Sequence, residues 1–222
     1  MAILELHKVE KSFGAKEILK KVSFSCSTGE ILGIFGRNGC GKSTLLKMIF
    51  GTLEASKIEM SFNHKLLIPS KVILQKKIAY LPQHSFLPFN SKVRDLIPIY
   101  YQSQKDQDAI FYDSQIALIS SKKIKELSIG QLRYLQVLLI GNLDRDFILL
   151  DEPFSMIDPL YKEKIRELLL KLKQKKGIII TDHYYEDVLN ITSKNIVIKD
   201  GISSPINHKE DLKKMEYLSK NS

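Results

Sequence analysis

Residues 36–43 read Gly-Arg-Asn-Gly-Cys-Gly-Lys-Ser, and no other stretch restricts the fold as tightly. The spacing matches the phosphate-binding pattern G-x-x-x-x-G-K-[ST]. Gly36, Gly39 and Gly41 let successive backbone N–H groups curl around phosphate oxygens with no Cβ in the way. A helix starting at the end of such a loop adds its positive N-terminal end. The flanking residues supply that context. The apolar run 31–35 predicts a buried strand, and Leu45, Leu46, Met48 and Ile49 give 42–50 the apolar face of a helix. Chance produces the pattern in a chain this long with odds on the order of 1%. Gly36, Arg37, Asn38, Gly39, Cys40, Gly41, Lys42, Ser43 and Thr44 are therefore the candidate nucleotide-binding residues. Lys42 would set a point charge on the β- and γ-phosphates, and the Ser43 hydroxyl is a candidate ligand for Mg2+.

A second element answers the first. Residues 147–152 read Phe-Ile-Leu-Leu-Asp-Glu, an apolar strand that ends in two acids. A carboxylate at the end of a buried strand is a means of holding Mg2+ beside a phosphate loop. Asp151 is placed to hold the metal through water. Glu152, one residue on, points elsewhere and is the candidate general base for an attacking water. Alone, an Asp-Glu pair at a strand end is weak; paired with 36–43 it is strong.

Composition fits this picture. At 44% apolar and 27% charged residues, the chain is not collagen, low-complexity or a disulfide scaffold. Its 222 residues suit one domain. No stretch approaches the roughly 20 consecutive apolar residues of a membrane span. The start, 1–8, alternates apolar and polar residues and has no signal-peptide core. Cys26 and Cys40 are thus expected to be reduced. The formal charge of +9 suggests an anionic partner without choosing among nucleotide, nucleic acid and a membrane face.

Along the chain, strands are expected at 3–9, 18–26, 31–35, 147–150, 178–181 and 196–199, with strand-like pieces at 57–62, 66–68, 72–74 and 78–81. Helices are expected at 42–50, 93–101, 107–120, 129–142, 158–175 and 185–189, with a short amphipathic one over 207–222. Asp158 before Pro159 is a helix start, and Gly177 after a Lys-rich turn reads as a helix stop. Strands alternating with helices predict an α/β fold with a mostly parallel sheet. The expected organisation is one domain, 1–222, with a core of 1–82 and 143–222 and a helical insertion of about 84–142.

With these pieces in order, the sequence resembles the ATP-binding subunit of an ABC transporter over roughly residues 3–202. Leu127-Ser128-Ile129-Gly130-Gln131 is similar to that family's signature, Leu-Ser-Gly-Gly-Gln. Gln83 matches its glutamine loop, and Ser155-Met156-Ile157-Asp158 resembles its Ser-Ala-Leu-Asp element. His183 matches its switch histidine, and Phe13 stands where an aromatic stacks on adenine. The resemblance implies a P-loop NTPase core, an N-terminal antiparallel β subdomain and a helical insertion carrying the signature.

The resemblance also implies a cycle. Two subunits meet head to tail, and each ATP lies between one phosphate loop and the other subunit's signature. Ser128, Gly130 and Gln131 would contact ATP in trans, Asp158 would serve communication across the dimer, and Ser43, Gln83 and Asp151 would hold Mg2+. Lys42, Glu152 and His183 would carry hydrolysis. Here Ile129 replaces the first signature glycine, so that position cannot require a left-handed backbone. Leu132 stands where the family usually has a basic or polar residue. The implied partners are ATP, a second copy or a paralogous subunit, and separate membrane subunits, with the chain peripheral on the cytoplasmic face and no nucleic acid bound. Phe86, Leu87 and Phe89 are expected to help form the groove for a membrane-subunit helix. The lysines at 162–176 and 209–220 are expected to face an anionic leaflet. Two other readings use the same residues: a non-transport relative acting on ribosome or DNA, and a regulatory ATP-binding module with weak hydrolysis, motivated by Ile129.

Overall fold

Five runs of β-branched and large apolar residues build the centre of the molecule. A computed structural model describes residues 1–206 together with 211 and 212. The antiparallel N-terminal strands are β1 (Ile3–Phe13) and β2 (Lys16–Ser27). β3 (Ile31–Phe35) follows, then helix α1 (Lys42–Phe50), strands β4 (Lys57–Phe62) and β5 (Lys65–Leu66), helix α2 (Val72–Gln75) and β6 (Ile78–Leu81). Helices α3 (Val93–Tyr100), α4 (Gln104–Phe111), α5 (Ser114–Ala117) and α6 (Ile129–Gly141) lie between β6 and β7 (Phe147–Asp151). α7 (Pro159–Lys173), β8 (Gly177–Thr181), α8 (Tyr185–Leu189), β9 (Lys194–Lys199) and β10 (Ile202–Ile206) complete the described elements.

The strands run in the order β5-β4-β1-β2-β10-β9-β3-β8-β7-β6. β9, β3, β8, β7 and β6 pair in parallel. β5, β4, β1 and β2 pair antiparallel, and β10 joins the two halves, antiparallel to β9 and touching β2 in parallel at Ile202 and Lys21. This is the mixed α/β fold expected, a mostly parallel sheet with an antiparallel N-terminal part.

Both faces of the parallel sheet are covered, so its strands carry no polar alternation. β3 and β7 are buried at every position. Ile148 and Leu150 face one core with Leu135, Leu139, Ile165 and Leu169 of α6 and α7. Phe147 and Leu149 face the other, with Leu45, Leu46 and Met48 of α1 and Leu4, Leu6 and Val22 of the antiparallel strands. The phosphate-loop helix thereby shares one core with the parallel and the antiparallel parts of the sheet.

Several expectations change. Residues 72–74 are helical, within α2, because four residues give no period to separate helix from strand. Of the strand-like piece 66–68, only Leu66 lies in a strand, the two-residue β5. Gly177 does not end α7, which closes at Gln174; it opens β8, where a Cβ would fall 2.5 Å from Phe147 Cδ1. β10 carries no predicted strand. The lysines of 162–176 are partly engaged within the chain. Lys162 pairs with Asp187 at 2.8 Å, Lys164 bonds Gln115, and Lys176 donates to the carbonyls of Leu143 and Arg145. Lysines 209 to 220 and the expected 207–222 helix lie outside the described residues, apart from 211 and 212. Among the described residues, no helix is long and apolar enough to cross a membrane.

Candidate functional site

The C-terminal ends of β3, β6, β7 and β8 come together at one edge of the sheet, where open α/β folds place ligands. β3 leads into the glycine loop, and α1 begins at Lys42. Gly41 has φ 102°, and a Cβ there would lie 2.8 Å from Ile18 Cγ2. This position is glycine both for its left-handed backbone and for its contact with β2. Lys42 is buried, and its ammonium donates to the carbonyls of Gly36 at 2.6 Å and Arg37 at 3.4 Å. The lysine thus bridges its own loop, with its charge held where phosphate oxygens would enter.

Phe13, Asn38, Gly39, Gly41, Lys42, Ser43, Thr44, Gln83, Glu152 and His183 line one cavity of about 440 Å3. Phe13 is 51% exposed at its rim, with the Lys11 ammonium 4.8 Å from the ring centroid. Not every loop residue faces this space. Gly36, Arg37 and Cys40 line a second cavity of about 350 Å3 on the other side of the loop, against β2 and the β9–β10 turn, which Asn38 and Gly39 also reach.

Asp151 lies just beneath the cavity and is 1% exposed. Its carboxylate accepts from Ser43 Oγ at 3.0 Å, Thr181 Oγ1 at 2.9 Å and Tyr80 Oη at 3.2 Å. Burial, and then the neighbouring Asp151 charge, push the Tyr80 phenol well above its ordinary pKa, so it stays a donor. Among the described residues, no three His, Cys, Asp or Glu side chains cluster to cage a metal. The hydroxyl of Ser43, the carboxylate of Asp151 and the amide oxygen of Gln83 are hard oxygen donors, which fits Mg2+, an ion that completes its shell from water and substrate phosphates.

Glu152 follows with φ 53°, a left-handed conformation that costs a non-glycine residue on the order of 1–3 kcal/mol. Its N–H is tied to Thr181 O at 2.8 Å. The twist turns the side chain away from Asp151 and into the cavity. There Gln83 Nε2 donates to Oε2 at 2.9 Å, and His183 Nε2 stands 2.8 Å from Oε1. Ser155 Oγ is 3.2 Å from Glu152 Oε2 and 3.2 Å from Asp182 Oδ1, so one hydroxyl proton lies between two carboxylates.

Asp182 is fully buried and accepts from the backbone N–H groups of Phe154 at 2.7 Å and Tyr184 at 3.0 Å. It staples the segment after β7 to the one after β8, and burial raises its pKa. Thr181, Tyr80, Asp182 and the buried Arg133 carry no role that the sequence alone assigns, and Ser155 enters there only as the first residue of its four-residue element. A carboxylate directly before a histidine at the end of an apolar strand was the available signal for Asp182.

Ser128, Gly130, Gln131 and Asp158 line neither cavity beside the loop. Ser128 caps α6: its Oγ accepts from Gln131 N at 3.1 Å, while Gln131 Oε1 accepts from Ser128 N at 3.1 Å. Asp158 caps α7 through Tyr161 N at 3.0 Å. Ile129 begins α6, is 61% exposed and is absent from the left-handed non-glycine residues. It faces a trough of about 570 Å3 that Gln83, Glu152, Met156 and His183 also line. Leu87 is 3% exposed and packs in the core, so it offers nothing to a partner; Phe86 and Phe89 are 38% and 65% exposed.

The family model for ABC transporters matches residues 19–155. The chain is 29% identical over 225 residues to an uncharacterized ABC transporter ATP-binding protein, MJ1023, of Methanocaldococcus jannaschii, covering 97% of this chain and 81% of that one. It is 27% identical over 215 residues to the lipopolysaccharide export system ATP-binding protein LptB of Haemophilus influenzae, covering 90% and 88%. Its fold superposes on a nucleotide-free ATP-binding cassette from an ABC transporter with a TM-score of 0.84, at 22% identity and covering 99% and 97% of the two chains. The chain belongs to the ABC transporter family, as one of its ATP-binding ATPase subunits.

Proposed function

We propose that this ATPase subunit works as a head-to-tail pair on the cytoplasmic face of a membrane, converting ATP-driven closure and hydrolysis into movement of separate membrane subunits. The observation that carries the reading is Glu152. Its carboxylate is turned into the phosphate-loop cavity by a strained backbone and is touched by Gln83 and His183.

ATP would enter with adenine on the Phe13 ring and its phosphates in the glycine loop. Lys42 would exchange its hold on the Gly36 and Arg37 carbonyls for the β- and γ-phosphates. Ser43, Asp151 and Gln83 would hold Mg2+, which supplies neutralising charge on those phosphates when bound. Ser128, Gly130 and Gln131 of a second copy, or of a paralogous subunit, would close over the γ-phosphate from a helix N-terminus. Glu152 would accept the proton of the attacking water, and His183 would hold the γ-phosphate as the bond to ADP breaks. Phosphate release removes the charge both subunits bind, and the pair opens. Asp158, at the start of α7, would pass that change between subunits. Phe86 and Phe89 offer apolar contact to a membrane-subunit helix. The transporter names of the relatives favour membrane subunits over nucleic acid as partners.

Glu152→Gln tests the reading. The variant should bind ATP as tightly as wild type, accumulate as an ATP-bound dimer on gel filtration, and release phosphate about 100- to 10,000-fold more slowly. Hydrolysis at the wild-type rate would remove Glu152 from the role of general base.

A further inference from the structure

Arg133 is the one guanidinium on the buried face of α6, and its contacts are unlike those of an ordinary core residue. It sits in the second turn of the helix that Ser128 caps, 7% exposed. Its two terminal nitrogens donate to successive backbone carbonyls, Nη1 to Pro82 O at 3.0 Å and Nη2 to Gln83 O at 2.6 Å. Among the described residues it makes no salt bridge within 4.0 Å. Burial lowers its pKa, opposed by the charges of Asp182, Asp151 and Glu152 at longer range. One turn on, Gln136 Nε2 donates to Ser85 Oγ at 2.9 Å, so α6 grips both ends of the segment 82–85.

Taking a charge out of water is expensive, and an apolar side chain of similar volume is often as stable. What the guanidinium adds is geometry: a rigid planar fork holds two neighbouring carbonyls in one fixed relation, whereas a lysine's ammonium is a compact point charge on a flexible stem. The residue so fixed is Gln83, whose amide donates to Glu152 Oε2 at 2.9 Å. A continuous path therefore runs from the cap of α6, through Arg133 and Gln83, to the carboxylate in the phosphate cavity.

We propose that Arg133 is a positioning residue that transmits the setting of the α6 N-terminus to Gln83 and thence to Glu152. A change at Ser128, when a second subunit's nucleotide reaches it, is then felt at the hydrolytic site of the same chain. The inference rests on the ATPase reading above and deepens it.

The test uses the full chain, with steady-state phosphate release, binding of a fluorescent ATP analogue, and thermal melts. Arg133→Met keeps length without the fork, and Arg133→Lys keeps charge and stem. Gln83→Ala and the Arg133→Met/Gln83→Ala double variant complete a cycle. Arg133→Met should lower kcat about 10- to 100-fold, the scale of a small misplacement of reacting groups, and leave analogue affinity within about twofold. Arg133→Lys should recover part of that loss. The double variant should be no slower than Gln83→Ala, because both changes break one path. Wild-type kcat in Arg133→Met, or losses that multiply in the double variant, would overturn the proposal. If Arg133→Met does not fold, Arg133→Lys decides: reduced kcat at an unchanged melting temperature supports the path, and wild-type kcat overturns it. A wild-type chain that releases no phosphate overturns the ATPase reading itself, which separates the two failures.

Discussion

Gly130→Ala separates the packing of the signature helix from the chemistry of the phosphate cavity. Gly130 is the second residue of α6 and is buried. A Cβ added there lies 2.7 Å from Tyr161 Cδ2 and 2.8 Å from Asp158 Oδ2, both at the start of α7. Neither neighbour yields easily. Tyr161 N is bonded to Asp158 Oδ1, and the Tyr161 ring meets Tyr134 edge-on at 6.3 Å, with the Lys164 ammonium 4.8 Å from its centroid.

Two effects oppose each other. Alanine gains about 1 kcal/mol over glycine within a helix. Forcing a methyl group into a filled contact costs about 1–3 kcal/mol. The balance is a net destabilisation of about 0–2 kcal/mol, and at about 2–4 °C per kcal/mol for a chain of this size the melting temperature falls by up to about 8 °C. Because Gly130 does not line the phosphate cavity, binding of a fluorescent ATP analogue to the isolated chain should be unchanged. ATP-dependent dimerisation and phosphate release should both fall, since the starts of α6 and α7 are pushed apart where Ser128 and Asp158 are presented. A melting temperature at or above wild type with undiminished turnover would show that the two helices are not in tight contact. Loss of ATP binding by the isolated chain would show that Gly130 acts on the loop rather than through α7.

Four further outcomes can be measured. Lys42→Ala removes the charge that faces the phosphates and should weaken ATP binding about 10- to 100-fold or more in a titration; unchanged affinity would contradict the site. Gly41→Ala combines a left-handed backbone with a clash on Ile18, whereas Gly39→Ala meets open space at φ 79°, so the Gly41 variant should melt lower by about 1–3 kcal/mol of overpacking; equal melting would count against the contact. Burial pushes the Cys26 thiol up to about 12 and raises that of Cys40. At pH 8 Cys26 should therefore resist iodoacetamide until the chain unfolds, and Cys40 should label slowly and faster as pH rises. The raised Cys26 value contributes stability below the ordinary thiol pKa, near 9, that is lost as pH climbs toward 12; a denaturation midpoint that is flat above pH 9 would contradict it.

What could be read from the chain, and what could not, divides by the range of the forces involved. β3, β7 and β8 were legible because strands buried on both faces need uninterrupted apolar residues. The start of α7 was legible because a cap and a proline act on adjacent backbone groups. The phosphate loop was legible because its chemistry dictates residue types at fixed spacing. Elements whose identity is settled elsewhere in the fold were not. β10, with Pro205 inside it, is a strand only because β9 turns back through Asp200 and Gly201 to pair with it. Gly177 looks like a helix stop locally but is required by the Phe147 ring across the sheet. Leu87 looks like its neighbours Phe86 and Phe89, and only the insertion's packing buries it alone. The same division runs through the site. Glu152 and His183 announce themselves in short motifs, but the groups that aim them do not. Asp182 reaches Phe154 across 28 positions, and Arg133 reaches Gln83 across 50. A motif states which atoms meet the substrate. The hydrogen bonds that hold those atoms still connect chain segments with no local pattern in common, so they become visible only when the sheet has brought the segments together.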